Sequence, residues 1–529
     1  MGTSTEPILS FEGGQARNLR WPRILVPSLA DFFLFALIWW LFLAGPYGWT
    51  ALLGDGDAGW HIRTGEHILA TGRVPHQDLF SFSKPEAEWF AWEWLADVLF
   101  ALAHRLAGLK GVVLLTGMVA SATGVLLLRF AAARGANLLI ALPLCLLAVG
   151  ASDIHFLARP HIFTLLLFAV SVWLISRDRE QRTRWVWALV PLTALWTNLH
   201  GGFMALLAML AAVPAGAAAE WMLGGVDGRT ALGTIRRYGL LGAGCALATV
   251  VNPYGTELHR HIVRYLNSDW IRQAVDEFQS PKFRDEKVLQ YEILLLLGLG
   301  VAGVMLSRRR VTEALWILLW AHASLTSVRH VPLFTIVAAP LAAAELTRWL
   351  AALTEGKPGT SPAVILRRCG EDLAPGVRRT SAWALAPWLV LALVETPAVW
   401  PEDFPAQLFP TEMVKKHGAE LAVSRVFTTD QWADYLIYHH YPRQRVFVDG
   451  RSDFYGPEVG NRYLRILHGH SDWRKTFELY GFTYALVGPD TAIASLLKQD
   501  FRWRVVADDG RAILFARTPE GAAADGGGH

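Results

Sequence analysis

Long apolar runs recur along this chain, separated by short loops, many of them rich in arginine. That alternation constrains the fold more than any single motif. Inside a bilayer no water satisfies the backbone, so a crossing segment must be a helix or part of a closed barrel. A helix needs about 20 apolar residues to cross. Run length predicts about eleven spans, placed near 29–47, 111–130, 136–151, 161–176, 185–199, 202–223, 238–252, 291–307, 311–328, 331–351 and 382–396. The first apolar segment, from Leu29 to Tyr47, is too long for a signal-peptide core and lacks a small-x-small cleavage site, so it reads as an uncleaved span. The net charge of +3 comes without a basic stripe interleaved with aromatics, which argues against nucleic acid as a partner. Cys145, Cys245 and Cys369 fall in or near spans or basic loops, which leaves the other face without a disulfide framework or a cysteine metal site.

The basic residues orient the chain. Arg17, Arg20 and Arg23 precede the first span, and Arg129, Arg134, Arg177, Arg179, Arg182, Arg184, Arg229, Arg236, Arg237, Arg308, Arg309, Arg310, Lys357, Arg367, Arg368, Arg378 and Arg379 sit in alternate loops. The short loops of the other side hold only Arg159 and Arg329. By the positive-inside rule the N-terminus is cytoplasmic and the C-terminal part lies outside. The predicted layout is a cytoplasmic segment 1–28, a transmembrane unit 29–396 with its first outer loop at 48–110, an extracytoplasmic α/β domain 397–519, and a tail 520–529. The expected location is a bacterial inner (plasma) membrane.

This topology gathers the polar signatures on one face. The stretch Gly54–Leu95 falls there, with Asp153-Ile154-His155, Arg159-Pro160-His161, Asn198-Leu199-His200-Gly201-Gly202, the long loop Asn252–Gln290 and Arg329-His330. Every histidine except His322 lies on this side. An active site built from several loops needs such convergence. In the first loop, Asp55 and Asp57 follow the first span directly. Carboxylates are costly near lipid and invite a functional role, although Asp57 is also placed to cap a helix starting near Ala58. Ala58 to Ala70 reads as a surface helix ended by Gly72 and Pro75, and Trp89 to Leu106 as an amphipathic helix with Glu93, Asp97 and Arg105 off its apolar stripe. Trp60, Trp89, Trp92 and Trp94 suit the headgroup layer. His61, His67, His76 and Asp78 match no tight zinc spacing.

The ordered set Asp55-Gly56-Asp57, Trp60-His61, Pro75, Asp78, Phe80-Ser81 and Glu93-Trp94-Leu95 resembles a bacterial branch of the GT-C superfamily of membrane glycosyltransferases. Arg159-Pro160-His161, Asn198-Leu199-His200-Gly201, Asn252-Pro253-Tyr254-Gly255 and Gln279-Ser280-Pro281 fit the same branch. The resemblance covers most of the chain. It implies a GT-C-like helical membrane fold and sugar transfer at the outer face, from a polyprenyl-phosphate donor to a lipid, glycan or protein. It places the catalytic carboxylate at Asp57 or Asp55. A divalent metal such as Mg or Mn, held by Asp55 and Asp57 with Glu93, is left open by the family. For the donor phosphate, arginine offers a two-pronged grip, so Arg159 and Arg329 come first, then Arg63 and His200, with His61, His161 and Glu93 as further substrate contacts.

His259, Arg260, His261, Arg264, Asp276 and Glu277 in the long loop read as interfacial helices, either a lid or a solvated surface. After the prolines 397, 401, 405 and 410 the pattern turns water-soluble: strands at 425–428, 445–449 and 483–487, helices at 431–441, 462–480 and 491–498, and a hairpin through Asp508-Asp509-Gly510. Trp432, Asp434 and Tyr435, with Val448-Asp449-Gly450, resemble the W-W-D-Y-G region of oligosaccharyltransferases, with one Trp and the Gly missing. Ordinary packing, with Asp430 as a helix cap and Trp432 in the core, accounts for the same residues. A transporter or flippase, or a non-catalytic assembly partner, are the competing classes. No internal repeat and no matched pair of broken spans supports a transporter.

Overall fold

The computed structural model describes residues 23–44, 48–285, 288–379, 381–394 and 400–518. Most of the expected N-terminal segment, the start of the C-terminal domain at 397, and the tail lie outside them. The helices run α1 (Leu29–Trp39), α2 (Ala58–Thr71), α3 (Trp94–Ala133), α4 (Leu138–Ser152), α5 (His161–Glu180), α6 (Leu189–Leu199), α7 (Phe203–Met222), α8 (Gly228–Ala248), α9 (Glu257–Leu266), α10 (Asp269–Ala274), α11 (Leu289–Ser307), α12 (Val311–Thr326), α13 (Val331–Thr354), α14 (Pro362–Val377) and α15 (Ala386–Leu393). Among the described residues, 6 helical segments are long and apolar enough to cross a membrane. Segments Leu29–Leu43 and Ala382–Leu393 are apolar but shorter. The other expected spans are short, like α6 and α12, or charged in their first half, like α8 with Arg229, Arg236 and Arg237.

Two local readings of the first loop change. The expected amphipathic helix and the second span are one element, α3, interrupted at Ala107 and Gly108, where Gly108 has φ +60°. The helix starts at Trp94 rather than Trp89 because the Trp89 N–H donates back to His76 O (3.0 Å) and closes a loop. Helix α2 is no surface helix. It is wedged between α3 and a helix of the C-terminal part, and glycine allows the approach on both sides. A Cβ on Gly65 would stand 2.0 Å from Asp97 O, and one on Gly59 2.4 Å from Asp434 O.

The C-terminal part contains α16 (Thr411–Leu421), α17 (Asp430–His440), α18 (Ser452–Leu467), α19 (Trp473–Tyr480) and α20 (Ala492–Gln499) around strands β1 (Val426–Phe427), β2 (Tyr484–Val487), β3 (Trp503–Asp508) and β4 (Ile513–Arg517). The sheet order is β1-β2-β4-β3, with β1 parallel to β2 and the other pairs antiparallel. The expected strand at 445–449 does not join it. That segment pairs instead with the first loop: Val446 N donates to Phe80 O (2.8 Å) and Phe82 N to Val446 O (2.9 Å). Thr429, not Asp430, caps α17, and Trp432 is half-buried with its indole N–H on Leu408 O (2.9 Å).

The long loop is likewise docked. Leu258, Ile262 and Ile271 are buried, His261 bonds Asp453 (2.9 Å), and Trp270 lies so close to Gly460 of α18 that a Cβ there would meet its ring at 2.0 Å. The C-terminal part thus touches both loops that frame the site described next.

Candidate active site

The Asp55-Gly56-Asp57 turn is held from both sides. Asp57 N–H donates to Asp55 Oδ1 (2.9 Å) and Gly56 N–H to Gln431 Oε1 of α17 (2.7 Å). Asp57 does not cap α2. Its backbone is helical (φ −51°, ψ −30°) and its side chain makes no cap bond. The carboxylate turns instead to Arg159, which precedes α5. Arg159 Nη2 lies 2.9 Å from Asp57 Oδ2, while Nη1 lies 2.8 Å from Asp55 Oδ2 and 2.6 Å from Glu277 Oε1. Arg329 stands 3.9 Å from the other Glu277 oxygen and rests on the Phe278 ring.

Asp57 Oδ1 is buried and meets the carboxyl of Asp434. Gly450 N–H donates to both oxygens of Asp434 (3.2 Å), and a Cβ on Gly450 would fall 1.9 Å from Asp57 Oδ1 and 3.0 Å from Asp434 Oδ2. Two carboxyls so placed cannot both ionise freely. Burial pushes Asp57 up to about 7 against the pull of Arg159, with the Asp55 charge adding to the rise. Burial and the neighbouring Asp57 raise Asp434 well above the usual range. Burial would raise Glu277 too, but Arg159 and Arg329 hold it below its ordinary value.

A second group adjoins the first. His61 Nδ1 lies 2.6 Å from Asp97 Oδ1, and Glu93 lies between His61 (4.0 Å) and His200 (3.4 Å). Thr164 Oγ1 bonds His200 Nδ1 (2.8 Å), and His161 Nε2 donates to His155 O (2.8 Å). Burial raises Glu93 to about 8, so it is mostly neutral at pH 7, and burial with Arg159 lowers His61. Both groups line one cavity of 320 Å³. One wall is apolar, with Leu165, Met204, Ala208, Leu266 and Leu333. Over another sits Arg451, buried between Asp78 (2.8 Å) and Asp449 (2.6 Å) and above the Trp89 ring.

The structure therefore brings together Asp57, Arg159, Arg329, His61, Glu93, His200 and His161, with Asp55 joined through Arg159. Arg63 does not line this cavity. Its Nε donates to Tyr438 O (2.7 Å) and its Nη1 to Glu66 (2.6 Å), so it fastens α2 to α17. The donor set does not fit a metal ion. The Oδ2 atoms of Asp55 and Asp57 both engage the guanidinium of Arg159, and Glu93 belongs to the histidine group. Among the described residues no group of three or more His, Cys, Asp or Glu could hold a metal. The weak zinc set does not assemble either, since His61 is on Asp97 and Asp78 is on Arg451. Sequence reasoning missed Asp97, which it left off the apolar stripe, and the roles of Glu277 and Gly450. It met Asp434 only through the W-W-D-Y-G resemblance.

No protein-family profile matches the chain, and no curated protein sequence does. Solved structures do. The oligosaccharyltransferase of Archaeoglobus fulgidus, tethered with an acceptor peptide containing the NVT sequon, is 12% identical with a TM-score of 0.53, over 86% of this chain and 68% of that one. Archaeal AglB from the same organism, in complex with an inhibitory peptide and a dolichol-phosphate, is 12% identical with a TM-score of 0.52, over 93% and 74%. ArnT from Cupriavidus metallidurans in the apo state is 14% identical over 92% and 96%, with a TM-score of 0.48. At such identity the likeness to the archaeal enzyme is one of fold. The chain shares the fold of the archaeal oligosaccharyltransferase.

Proposed function

We propose that this chain moves a sugar from a polyprenyl-phosphate carrier to a hydroxyl or amide of a lipid, glycan or protein, at the extracytoplasmic face of a bacterial inner membrane. One observation carries the reading: a buried carboxyl near neutrality, Asp57, shares a cavity with two arginines and an apolar wall. The dolichol-phosphate in the archaeal neighbour supports the donor class. Asp57 takes the proton from the acceptor as the acceptor atom attacks the anomeric carbon. A base of pKa near the working pH contributes roughly 10²–10⁴-fold. The bond from the sugar to phosphate oxygen breaks, and the charge that grows there rests on Arg159 and Arg329. A preorganised donor of this kind is worth about 2.7–4 kcal/mol in the transition state. The entering phosphate takes the place that the Glu277 carboxylate holds on Arg159. The neutral Glu93 keeps the cavity from repelling it. The apolar wall, where Met204 and Leu266 are exposed, takes the start of the lipid tail.

The test uses proteoliposomes and radiolabelled polyprenyl-phosphate sugars with membrane-extract acceptors. Wild type is expected to release lipid phosphate and label an acceptor, and Asp57→Asn to lose about 10²-fold or more of that rate at unchanged folding. Movement of intact donor across the bilayer without release would make the protein a transporter.

A further inference from the structure

Part of the cavity lining is built for something other than phosphate. Trp60 and Asp97 line it, 7% and 1% exposed, and each carries a polar atom without a partner: the Trp60 indole N–H and Asp97 Oδ2. A buried polar atom left unsatisfied costs about 1–3 kcal/mol. Here one is a donor and the other an acceptor. Glu93 and His200 stand beside them, and the indoles of Trp60 and Trp92 add apolar lining. Donor, acceptor and flat apolar face in one small wall match a sugar ring, whose hydroxyls give and take hydrogen bonds and whose C–H faces are apolar.

Size narrows the class. The cavity holds 320 Å³. Ligand cavities run from about 300 to 1,000 Å³, so this one is at the small end. Arg159 and Arg329 line the same space, so the phosphate shares it and leaves room for a small group such as one sugar ring. Around it, the contacts Arg451–Asp78, His261–Asp453 and Trp270–Gly460 join the C-terminal part to the two loops. A longer glycan that left past them would have to part these contacts, of which Arg451–Asp78 is fully buried.

We propose that Trp60, Glu93, Asp97 and His200 form a subsite for a single monosaccharide, so that the donor is a polyprenyl-phosphate monosaccharide rather than a lipid-linked oligosaccharide. The proposal rests on the lipid-phosphate reading above, and binding separates the two. The full chain in nanodiscs is titrated with three short-chain probes: the bare polyprenyl phosphate, its monosaccharide (a hexose and a pentose), and the matching disaccharide. One monosaccharide is expected to bind about tenfold or more tighter than the bare phosphate, the gain of at least one satisfied buried polar atom. The disaccharide is expected to lose that gain. Trp60→Phe keeps a ring and removes the donor, so it should bring the monosaccharide toward the bare phosphate while leaving the latter's affinity unchanged. Arg329→Gln should weaken all probes alike. A disaccharide that binds as well as the monosaccharide, or a Trp60→Phe variant that keeps the full preference, overturns the subsite while the lipid-phosphate reading stands. Failure of every probe, bare phosphate included, overturns both.

Discussion

The two ends of the helix bundle hold charge in opposite ways. At the cavity end one guanidinium, Arg159, meets three carboxylates: Asp55, Asp57 and Glu277. At the other end one carboxylate, Glu345, meets three guanidiniums: Arg308, Arg310 and Arg348. The difference is what surrounds the excess. Arg308 and Arg348 are 49% and 43% exposed, so water carries the surplus charge of that end. Asp57 is 5% exposed and faces a cavity. There burial, with neighbouring carboxylates adding to it, pushes Asp57, Asp434 and Glu93 up, so protons take up the surplus. Buried charge alone therefore does not mark a site. Buried charge with unmatched atoms around an internal space does.

The contrast can be broken at either end. Arg159→Lys gives the largest expected loss after that of Asp57→Asn. A lysine keeps the charge but cannot face two carboxylates and a phosphate with a planar fork. Transfer should fall about 10²–10³-fold in the proteoliposome assay, and a rate within a few-fold of wild type would remove the clamp. The Asp55→Asn effect is one of pH. Asp57 must be ionised to accept a proton, so the wild-type rate should fall as pH drops through about 7. The Asp55 charge raises the Asp57 pKa, so its removal should move that acid limb to lower pH and leave the plateau largely intact. An unmoved limb with a collapsed plateau would make Asp55 the base. Glu345→Gln should have the smallest effect on transfer, with rate per folded molecule unchanged. Its unfolding free energy should drop, by less than the ~3–5 kcal/mol of a fully buried broken pair, because two of its partners reach water.

Much of the cavity was legible because polar residues stand out in apolar sequence. Asp55-Gly56-Asp57, Glu93, Arg159-Pro160-His161, His200 and Arg329 are such islands, and the loops that carry them converge. What stayed hidden needed tertiary knowledge. Helical periodicity left Asp97 off the apolar stripe, yet α2 covers it because Gly65 lets the helices touch. Arg63 looked like a phosphate ligand until α17 arrived to accept its N–H groups. Gln431 reaches Gly56 across 375 positions, and Asp434 and Gly450 come with it. The pattern of residues 445–449 was right for an extended segment but silent on its partner, which is the first loop and not the sheet. Run length found the apolar segments but joined neither half of α3 to the other, since the break at Ala107 and Gly108 looks like a loop.

The most direct measurement is photo-crosslinking with a polyprenyl phosphate that bears a photoreactive group beside the phosphate. Labelled peptides from wild-type protein in nanodiscs would be mapped by mass spectrometry. Adducts are expected on the segments around Arg159, Glu277 and Arg329, lost on competition with unlabelled polyprenyl phosphate. Competed labelling centred on Arg308–Arg310 and Arg348, with none at the cavity, would contradict this placement.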